Sequence, residues 1–538
     1  MSAVPAPELS GGERYAVIWY AAQLSHMIGP LAQALYDLEG IRTVIACLDR
    51  NAFVRPAEMG LEGPAIADVV ELGALLEPRP RDEVDARQLA EQAREFESRT
   101  GVLLREVVRS DRHFGVDYLS GGIFPRSAHA ADLDDIQVMD IALRLCQACE
   151  ETLLKWQPLF VLCYPGMITS MALSEVAQRM DIPLRGLAKG RKKREQFHWL
   201  VNKYASWWGL DEAVAARIEH DKTPVDEGEG GFDMGAPFRM QVALDTLRAD
   251  ASLRGLIRKL DGITRRTIVN KLRNRAGYGS YRYLDNLFYV VRMWWWRRQV
   301  TTEKIEEATA LGPLSDGRPF IFYPLQTEPE SNLMAEAPMC DNQLTVIDWL
   351  CKAAPAGWSV AVKDHPGALA PKPPGFMERL RRYPNLVLLP TLASGEAVAA
   401  RAEVVAVING TLGLQAAIAG LPVLCYHPHY QGRCVPHMLF ADSYPATVAA
   451  LRRIRDGDIP SLAERRRCGR AYSDALDDCS FEVTDEKLIH GRPGPQPVGN
   501  SDATVLATTL LRSLEPPSRY GGVMAPEYDR NVLSEARG

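Results

Sequence analysis

Three short polar stretches in the C-terminal half of the chain hold side chains suited to binding a phosphate or a sugar. They read QTEPES (326–331), KDHPG (363–367) and NGTLG (409–413), and each follows an apolar run typical of a buried strand. Because the carboxyl ends of parallel strands lie at one edge of a sheet, we expect the three stretches to lie together, where open parallel sheets bind ligands. The combination favours a nucleotide site.

The NGTLG stretch opens a predicted helix. A helix N-terminus presents main-chain N–H groups and the positive end of the helix dipole to an anion. We therefore predict that Asn409, Gly410, Thr411 and Gly413 bind the phosphate of a nucleotide, the two glycines letting the ligand approach the main chain. The alternative is that Asn409 or Thr411 only caps the helix.

The other two stretches contribute titratable groups. His365 is predicted to donate to a phosphate oxygen or to protonate a leaving group, and Lys363 adds positive charge beside it. Glu328 and Glu330 are candidates for binding a ribose or for acid–base chemistry. The alternatives are a structural or helix-capping His365 and a solvated Glu330.

The stretch CYHPHYQGRCVPH (425–437) is a candidate for metal ligation because it collects cysteines and histidines. Its spacing fits no standard zinc pattern, so no metal site is predicted. We interpret the stretch as a loop that lines the nucleotide pocket, with Tyr430 placed to stack on the ligand or to hydrogen-bond with it.

The elements that must position these residues follow an α/β pattern. The run VVAVINGTLGLQAAIAGLPVLCY (404–426) reads as strand, tight turn, short helix and strand, which predicts a βαβ unit of a parallel sheet. A second βαβ unit is predicted from a strand at 15–20, a helix at 27–38 and a strand at 41–48, and a third at 159–187. The predicted fold class is α/β, with two Rossmann-like domains built on parallel sheets.

With 538 residues the chain exceeds a single hydrophobic core, so several domains are expected. The segment 190–310 is predicted to be helical, and Asp341 is predicted to cap a helix in the second domain. The predicted organisation is a disordered lead (1–14), an N-terminal Rossmann-like domain (15–210), a helical basic and aromatic segment (211–315), a C-terminal Rossmann-like domain (316–475), and a C-terminal helix and tail (476–538).

Composition narrows the classes of function. A net charge of −6 argues against nucleic acid as a partner. The N-terminal residues hold no basic segment of the kind that begins a signal peptide, and no apolar run is long enough to span a bilayer. Ten cysteines without a tight framework suit a reducing compartment, so a cytoplasmic location is expected.

The segment 253–298 differs from the rest of the chain in charge. It holds 12 Lys and Arg against 2 Asp, so its net charge is 12 − 2 = +10, and it includes the run Trp294-Trp295-Trp296. Basic residues mixed with aromatic residues suit a helix that lies on an anionic membrane surface. The alternative is a packed amphipathic helix with tryptophans in the core and solvated arginines.

Four stretches resemble the bacterial capsular polysaccharide biosynthesis family, which includes Kdo transferases, and more distantly the bacterial polysialyltransferases. They are Tyr-Pro-Leu-Gln-Thr-Glu-Pro-Glu-Ser, Val-Lys-Asp-His-Pro, Ile-Asn-Gly-Thr-Leu-Gly-Leu-Gln-Ala and Gly-Leu-Pro-Val, within about residues 318 to 430. The resemblance implies a GT-B glycosyltransferase, in which two Rossmann-like domains face a cleft. The C-terminal domain would hold the nucleotide-sugar donor and the N-terminal domain the acceptor.

The resemblance also implies roles for particular residues. His365 and Pro366 would form a His-Pro element that contacts the donor phosphate, with the Thr411 turn also at the phosphate. Gln326 begins a match to a Gln-Pro-Glu element that has one extra residue here, and Gln415 stands where relatives usually have Glu.

The implied reaction transfers a sugar, such as CMP-activated Kdo, to a glycolipid or polysaccharide acceptor. It needs no cofactor or metal beyond the donor, and the 253–298 segment would contact the inner membrane. The acceptor hydroxyl would need a base from the N-terminal domain, and the sequence offers several without choosing among them: His26, Asp117, Asp134, Asp135 and Glu195.

Two other classes of function fit the same architecture. One is a different enzyme, either a UDP-sugar 2-epimerase or a polyol-phosphate transferase. The other is a non-catalytic polysaccharide export or assembly protein. Nucleotide binding distinguishes the non-catalytic alternative from the enzymes, because a degenerate site would bind none.

Overall fold

The computed structural model describes residues 12–20, 26–48, 63–114, 124–125, 127–130, 132–190, 192–220, 245–272, 280–302, 312–330, 332–368, 372, 375–427, 435–490 and 500–517. These residues form two sheets, of seven and six strands. Helices cover both faces of each sheet, so the α/β fold class predicted from the sequence is confirmed.

The first sheet is built mainly from the N-terminal half. Its elements are β1 (Arg14–Trp19), α1 (Ile28–Glu39), β2 (Ile41–Cys47), β3 (Ile66–Glu71), α2 (Ala86–Thr100), α3 (Leu104–Arg109), α4 (Asp135–Trp156), β4 (Val161–Leu162), α5 (Ile168–Arg179), β5 (Leu184–Lys189), β6 (Gln196–Leu200) and α6 (Leu210–His220). Strands β1 to β5 pair in parallel in the order β5-β4-β1-β2-β3, and β6 pairs antiparallel with β5. The order reverses between β1 and β4, which is the switch point where such sheets bind ligands.

Two long helices, α7 (Leu253–Leu272) and α8 (Tyr283–Thr302), form a hairpin between the two halves of the chain. Asp250 pairs with Lys259 of α7 at 2.5 Å and with Arg297 of α8 at 2.7 Å. Met293 and Val300 are buried on the inner side of α8. Asp250 therefore joins the two helices of the hairpin, and α8 buries one of its sides.

The second sheet is wholly parallel. Its elements are β7 (Phe320–Pro324), α9 (Gln343–Ala353), β8 (Ser359–Lys363), α10 (Phe376–Leu380), β9 (Leu386–Leu389), α11 (Gly395–Ala399), β10 (Val404–Val407), α12 (Thr411–Ile418), β11 (Val423–Cys425), β12 (Met438–Phe440) and α13 (Tyr444–Arg455). The strand order is β12-β11-β10-β7-β8-β9, so the switch point lies between β7 and β10. Strands such as β8 and β10 are buried along their whole length, as expected for a sheet covered by helices on both faces.

The last elements return to the first sheet. They are α14 (Leu462–Asp478), β13 (Phe481–Glu482), α15 (Glu486–His490) and α16 (Asn500–Ser513). Strand β13 pairs antiparallel with β6, and α16 packs on α1. The chain therefore crosses between the two halves a second time.

The structure corrects two expectations about local structure. The segment 190–310 was expected to be helical, but strand β6 lies within it. The side chains of β6 are buried, and they pack against residues of the C-terminal elements, which favours a strand here. The cap of α9 is Asn342, whose side chain accepts from Leu344 N, and not Asp341, which pairs with Arg109 of the N-terminal half at 2.5 Å. Among the helices described, none has both the length and the apolar character needed to cross a bilayer.

Candidate functional site

The three polar stretches lie at one edge of the second sheet. Strand β7 pairs with β8 on one side and with β10 on the other, so the residues that follow these strands are neighbours. Leu325 N donates to the Lys363 carbonyl at 2.8 Å just beyond the paired strands. The three stretches therefore lie at one edge of the sheet, with the stretch that follows β7 between the other two.

The NGTLG turn presents an open helix N-terminus. Gly410 is the N-cap of α12, and no side chain caps the helix. Gly413 N donates to the Gly410 carbonyl at 3.1 Å, whereas the N–H groups of Thr411 and Leu412 have no acceptor within the described part of the chain. Two main-chain donors and the positive end of the helix dipole are thus available to an anion.

Asn409 and Gln326 support this turn. With the Gln326 amide oriented so that its oxygen faces the main chain, that oxygen accepts from Gly410 N at 2.8 Å and from Asn409 N at 3.2 Å. The Gln326 nitrogen then donates to Asn409 Oδ1 at 2.8 Å. A Cβ atom at position 410 would lie 3.0 Å from the Gln326 amide, so glycine lets this close contact form.

Gln343 organises the stretch that begins at Gln326. It is fully buried at the start of α9 and accepts from Gln326 N at 2.7 Å. Its Nε2 donates to Glu328 Oε1 at 2.6 Å, and Glu328 is only 6% exposed. The Glu330 carbonyl accepts from Leu333 N and Met334 N, both at 3.1 Å, and the Glu330 side chain is half-buried. Glu328 is thus placed as a buried partner of Gln343.

Replacing Gln343 with alanine is expected to destabilise the fold by about 3 kcal/mol, because buried polar groups of the loop lose their partner. Chemical denaturation of Gln343→Ala measures this loss. Gln33→Ala is the matched control, because the Gln33 side chain bonds Asp37 at the surface. Equal stability of the two variants would show that the loop does not depend on Gln343.

His365 follows β8, and its ring is held through one of its two nitrogens. Its Nδ1 accepts from Gly367 N at 3.0 Å, so the neutral ring holds its proton on Nε2. Lys363 is buried and donates to the Asp364 carbonyl at 3.2 Å, while Lys372 lies 3.4 Å from the Asp364 carboxylate. Pro366, which follows the histidine, is half-buried.

The surroundings of His365 keep its ring neutral. Much of the residue stays accessible to solvent, yet the protein packed around the ring lowers the pKa of His365, and the charges of Lys363 and Lys372 lower it further, against an opposing effect of Asp364. At neutral pH the ring therefore offers a neutral Nε2–H donor. Such a donor can stabilise negative charge that develops on a phosphate oxygen.

Glu336 is a candidate that sequence reasoning missed. It ends a short π-helical turn, Asn332–Glu336, and is 8% exposed. Tyr164, which follows β4 of the first sheet, donates from its hydroxyl to Glu336 Oε1 at 2.7 Å, and Asn409 Nδ2 donates to Oε2 at 3.2 Å. Glu336 therefore links the switch points of the two sheets. The sequence holds no spacing that identifies it, because it lies in an irregular turn.

Other residues that the sequence singled out make contacts of their own. Gln415 Nε2 donates to Glu396 at 3.3 Å, and Tyr430 lies outside the described residues. The side chains of His427 and His437 bond main-chain carbonyls, those of Glu336 and Ala417, at 2.6 and 2.7 Å.

The candidate bases of the N-terminal half do not form one cluster, because each described one has a different partner. Asp134 caps α4 and pairs with Arg81, and Asp135 pairs with Arg105. His26 pairs with Asp485 at 2.8 Å, the Glu195 carbonyl accepts from Val483 N, and Asp117 lies outside the described residues.

The two domains, each built around parallel strands and joined through Tyr164 and Glu336, form a GT-B-like fold. Residues 256–436 match the model of a family described as capsule polysaccharide biosynthesis protein. The family resemblance predicted from the motifs is therefore confirmed over this segment, which runs from the first helix of the hairpin to the residue before His437. No curated protein sequence matches the chain.

Solved structures similar to this chain include two classes of enzyme. The KpsC β-Kdo 2,7-transferase of Thermosulfurimonas dismutans shares 15% identity, covers 57% of this chain and 80% of its own, and has a TM-score of 0.27. The KpsC β-Kdo 2,4-transferase of the same organism shares 11% identity, with coverage of 58% and 79% and a TM-score of 0.28. The UDP-GlcNAc 2-epimerase of Neisseria meningitidis, bound to UDP-GlcNAc, shares 11%, with coverage of 86% and 98% and a TM-score of 0.25. At these scores the likenesses carry no argument about the reaction of this chain.

Proposed function

We propose that the chain is a glycosyltransferase of capsule or surface polysaccharide synthesis that uses a nucleotide-sugar donor. The main support is that two open N–H groups, at Thr411 and Leu412, lie at the same edge of the second sheet as the stretch that holds His365, on the other side of the stretch that follows β7. Such a combination suits the phosphate of a nucleotide-sugar. The family match over residues 256–436 supports placing the reaction in capsule synthesis.

The leaving group of such a donor is a phosphate, and this edge of the sheet can stabilise it as it departs. The α12 N-terminus and His365 Nε2–H supply hydrogen bonds to the phosphate oxygens, and the buried Lys363 adds positive charge nearby. In this proposal these groups neutralise the developing charge without a metal ion.

The motif resemblance supports a CMP-activated acidic sugar such as Kdo as the donor, and a glycolipid or polysaccharide as the acceptor. The reaction would take place in the cytoplasm, at the inner face of the membrane. The acceptor would lie against the N-terminal sheet, whose residue Tyr164 reaches the second domain.

The proposal predicts that a nucleotide stabilises the folded protein. A ligand that binds only the folded state raises the melting temperature by mass action, by an amount that grows with its concentration over Kd. A thermal-shift panel of the full chain with CMP, CDP, UMP, UDP and GDP, each with and without EDTA, should show a shift with CMP that EDTA does not remove. The same panel on His365→Ala should show a smaller shift.

Other results would change the assignment. A shift with UDP alone would favour a UDP-sugar enzyme, of which a 2-epimerase would convert its donor without an acceptor. No shift with any of the nucleotides would contradict the proposal and favour an export or assembly protein.

The hairpin supports a membrane contact for this enzyme. Large apolar side chains of α7 and α8 are 37–69% exposed: Leu253, Ile257, Ile268, Val269, Tyr283, Leu284, Phe288, Val291 and Trp295. On α8, Leu284, Phe288, Val291 and Trp295 follow the spacing i, i+4, i+7, i+11 and therefore form one stripe. A soluble helix normally buries such a stripe.

Positive charge accompanies the exposed apolar face. Five arginines of the hairpin have no carboxylate partner within the described part of the chain: Arg254, Arg258, Arg266, Arg292 and Arg298. Exposed aromatic and aliphatic residues beside cations suit the surface of an anionic bilayer. We propose that this face of the hairpin lies on the inner membrane, where a glycolipid acceptor would be available.

A further inference from the structure

A continuous path of hydrogen bonds joins the N-terminal domain to the main chain of the NGTLG turn. It begins at the Tyr164 hydroxyl, which donates to Glu336 Oε1 at 2.7 Å, and continues from Glu336 Oε2 to Asn409 Nδ2 at 3.2 Å. Asn409 Oδ1 accepts from the Gln326 amide at 2.8 Å, and the same amide accepts from Gly410 N at 2.8 Å. Four side chains thus connect one domain to the N-cap of α12.

Each step of the path fixes the orientation of the next. A carboxylate only accepts, so Glu336 requires the NH₂ group of Asn409 to face it. The Asn409 oxygen must then face Gln326, which turns the Gln326 oxygen towards Gly410 N. Hydrogen bonds that follow one another in this way polarise and strengthen one another. The residues Glu336 and Gln326 are both only 8% exposed to solvent, and the low local dielectric strengthens each hydrogen bond further.

The segment that holds Glu336 belongs to the domain interface. Ala335, the preceding residue, is 2% exposed and packs in the core cluster of the N-terminal domain. Arg109 of α3 bonds the Pro338 carbonyl and pairs with Asp341. The His427 ring, which bonds the Glu336 carbonyl, packs edge-on against Tyr204 of the N-terminal half at 6.3 Å between ring centroids. A change in the spacing of the two domains therefore acts directly on Glu336.

We propose that Glu336 is a positioning residue that couples the N-terminal domain to the NGTLG turn, so that ligand binding at the turn and the contact between Tyr164 and Glu336 stabilise each other. The nucleotide part of this inference rests on the function proposed above. By thermodynamic reciprocity, whatever binds the N-terminal domain and holds Tyr164 in place also tightens the nucleotide site. In a transferase this linkage would favour the donor arrangement when the acceptor side is in place.

The first test does not depend on nucleotide binding. Hydrogen–deuterium exchange of the full chain should show faster exchange of the main chain around 409–413 in Tyr164→Phe and in Glu336→Gln, by about five-fold for the loss of one hydrogen bond. Tyr444→Phe is the matched control, because Tyr444 lies at the start of α13, in another part of the domain. Unchanged exchange of the turn in Tyr164→Phe would overturn the proposal, and faster exchange throughout the chain would indicate a merely structural role.

The second test is a double-mutant cycle on CMP affinity, measured by calorimetry. Tyr164→Phe and Asn409→Ala should each weaken CMP binding by about 3- to 10-fold, and the double variant should bind no more weakly than Asn409→Ala alone. Additive losses would contradict the coupling. If the wild-type chain binds neither CMP nor another nucleotide, the proposed function fails, and the exchange experiment alone decides whether the path couples the domains.

Discussion

Replacing His365 with alanine is expected to lower the rate of sugar transfer by about 10²- to 10³-fold, the usual effect of removing one donor from a site of developing charge. The expectation follows from the ring geometry. Nδ1 accepts from Gly367 N, so Nε2–H is the nitrogen that faces a ligand, and the lowered pKa of His365 keeps the ring neutral at neutral pH. The measurement is steady-state transfer to a glycolipid acceptor from CMP-Kdo, or from the donor of whichever nucleotide gives the shift in the thermal-shift panel.

The fold should tolerate this change. The side chain of His365 makes one hydrogen bond, to Gly367 N of its own turn, and the residue is exposed, so the loss of stability should stay near 1 kcal/mol. His220→Ala is the matched control, because this exposed histidine bonds only its own helix, through the Ala216 carbonyl. A His365→Ala variant that melts far below the wild type would show a structural histidine. A folded variant with near-normal transfer would remove His365 from the site.

The parts of the site that were predictable from the sequence belong to regular elements. The run 404–426 combines a β-branched strand, a small-residue turn and a short apolar helix, and only a βαβ unit satisfies all three patterns. The structure forms β10, α12 and β11 there. Since parallel strands end at one edge, the neighbourhood of Gln326, His365 and Asn409 followed from the same pattern.

The parts that were not predictable depend on contacts between distant residues. Gln343 and Glu336 are ordinary polar residues in the sequence, and only the packed structure shows that one supports the loop and the other joins two domains. Asp341 and Asn342 are both good N-cap residues. Asp341 forms an ion pair with Arg109 of the other domain, and Asn342 caps the helix. Strand β6 lies in a segment rich in helical signals, where burial against the C-terminal elements decides its structure.

The aromatic segment shows what a sequence pattern leaves undecided about side-chain positions. The run Trp294-Trp295-Trp296 suggested one surface feature, yet the helix separates its members. Trp294 is half-buried and donates to the Ser252 carbonyl at 3.2 Å, whereas Trp295 is 58% exposed. A test of the membrane contact must therefore change Trp295 and its exposed neighbours on the stripe and leave Trp294 in place.

Replacing Phe288 and Trp295 together with serine is expected to weaken binding to anionic vesicles by about 10²-fold, because two exposed aromatic side chains no longer enter the interface and together account for roughly 3 kcal/mol. These residues are 69% and 58% exposed, so the fold should lose little stability. The measurement is co-sedimentation of the full chain with vesicles of phosphatidylglycerol and phosphatidylethanolamine. Binding should also fall with added salt, since the unpaired arginines contribute through screened charge.

A control variant tests whether vesicle binding depends on the hairpin or on any exposed apolar side chain. Leu38 and Leu154 are 46% and 58% exposed on α1 and α4, so Leu38→Ser with Leu154→Ser removes exposed apolar groups outside the hairpin and should leave sedimentation unchanged. The competing occupant of the stripe is a second copy of the chain. If the wild type does not bind the vesicles but forms a dimer that Phe288→Ser with Trp295→Ser dissociates, the hairpin is a protein interface. Because a dimer would bury the arginines beside like charges whereas an anionic bilayer would neutralise them, the charge of the segment favours the membrane.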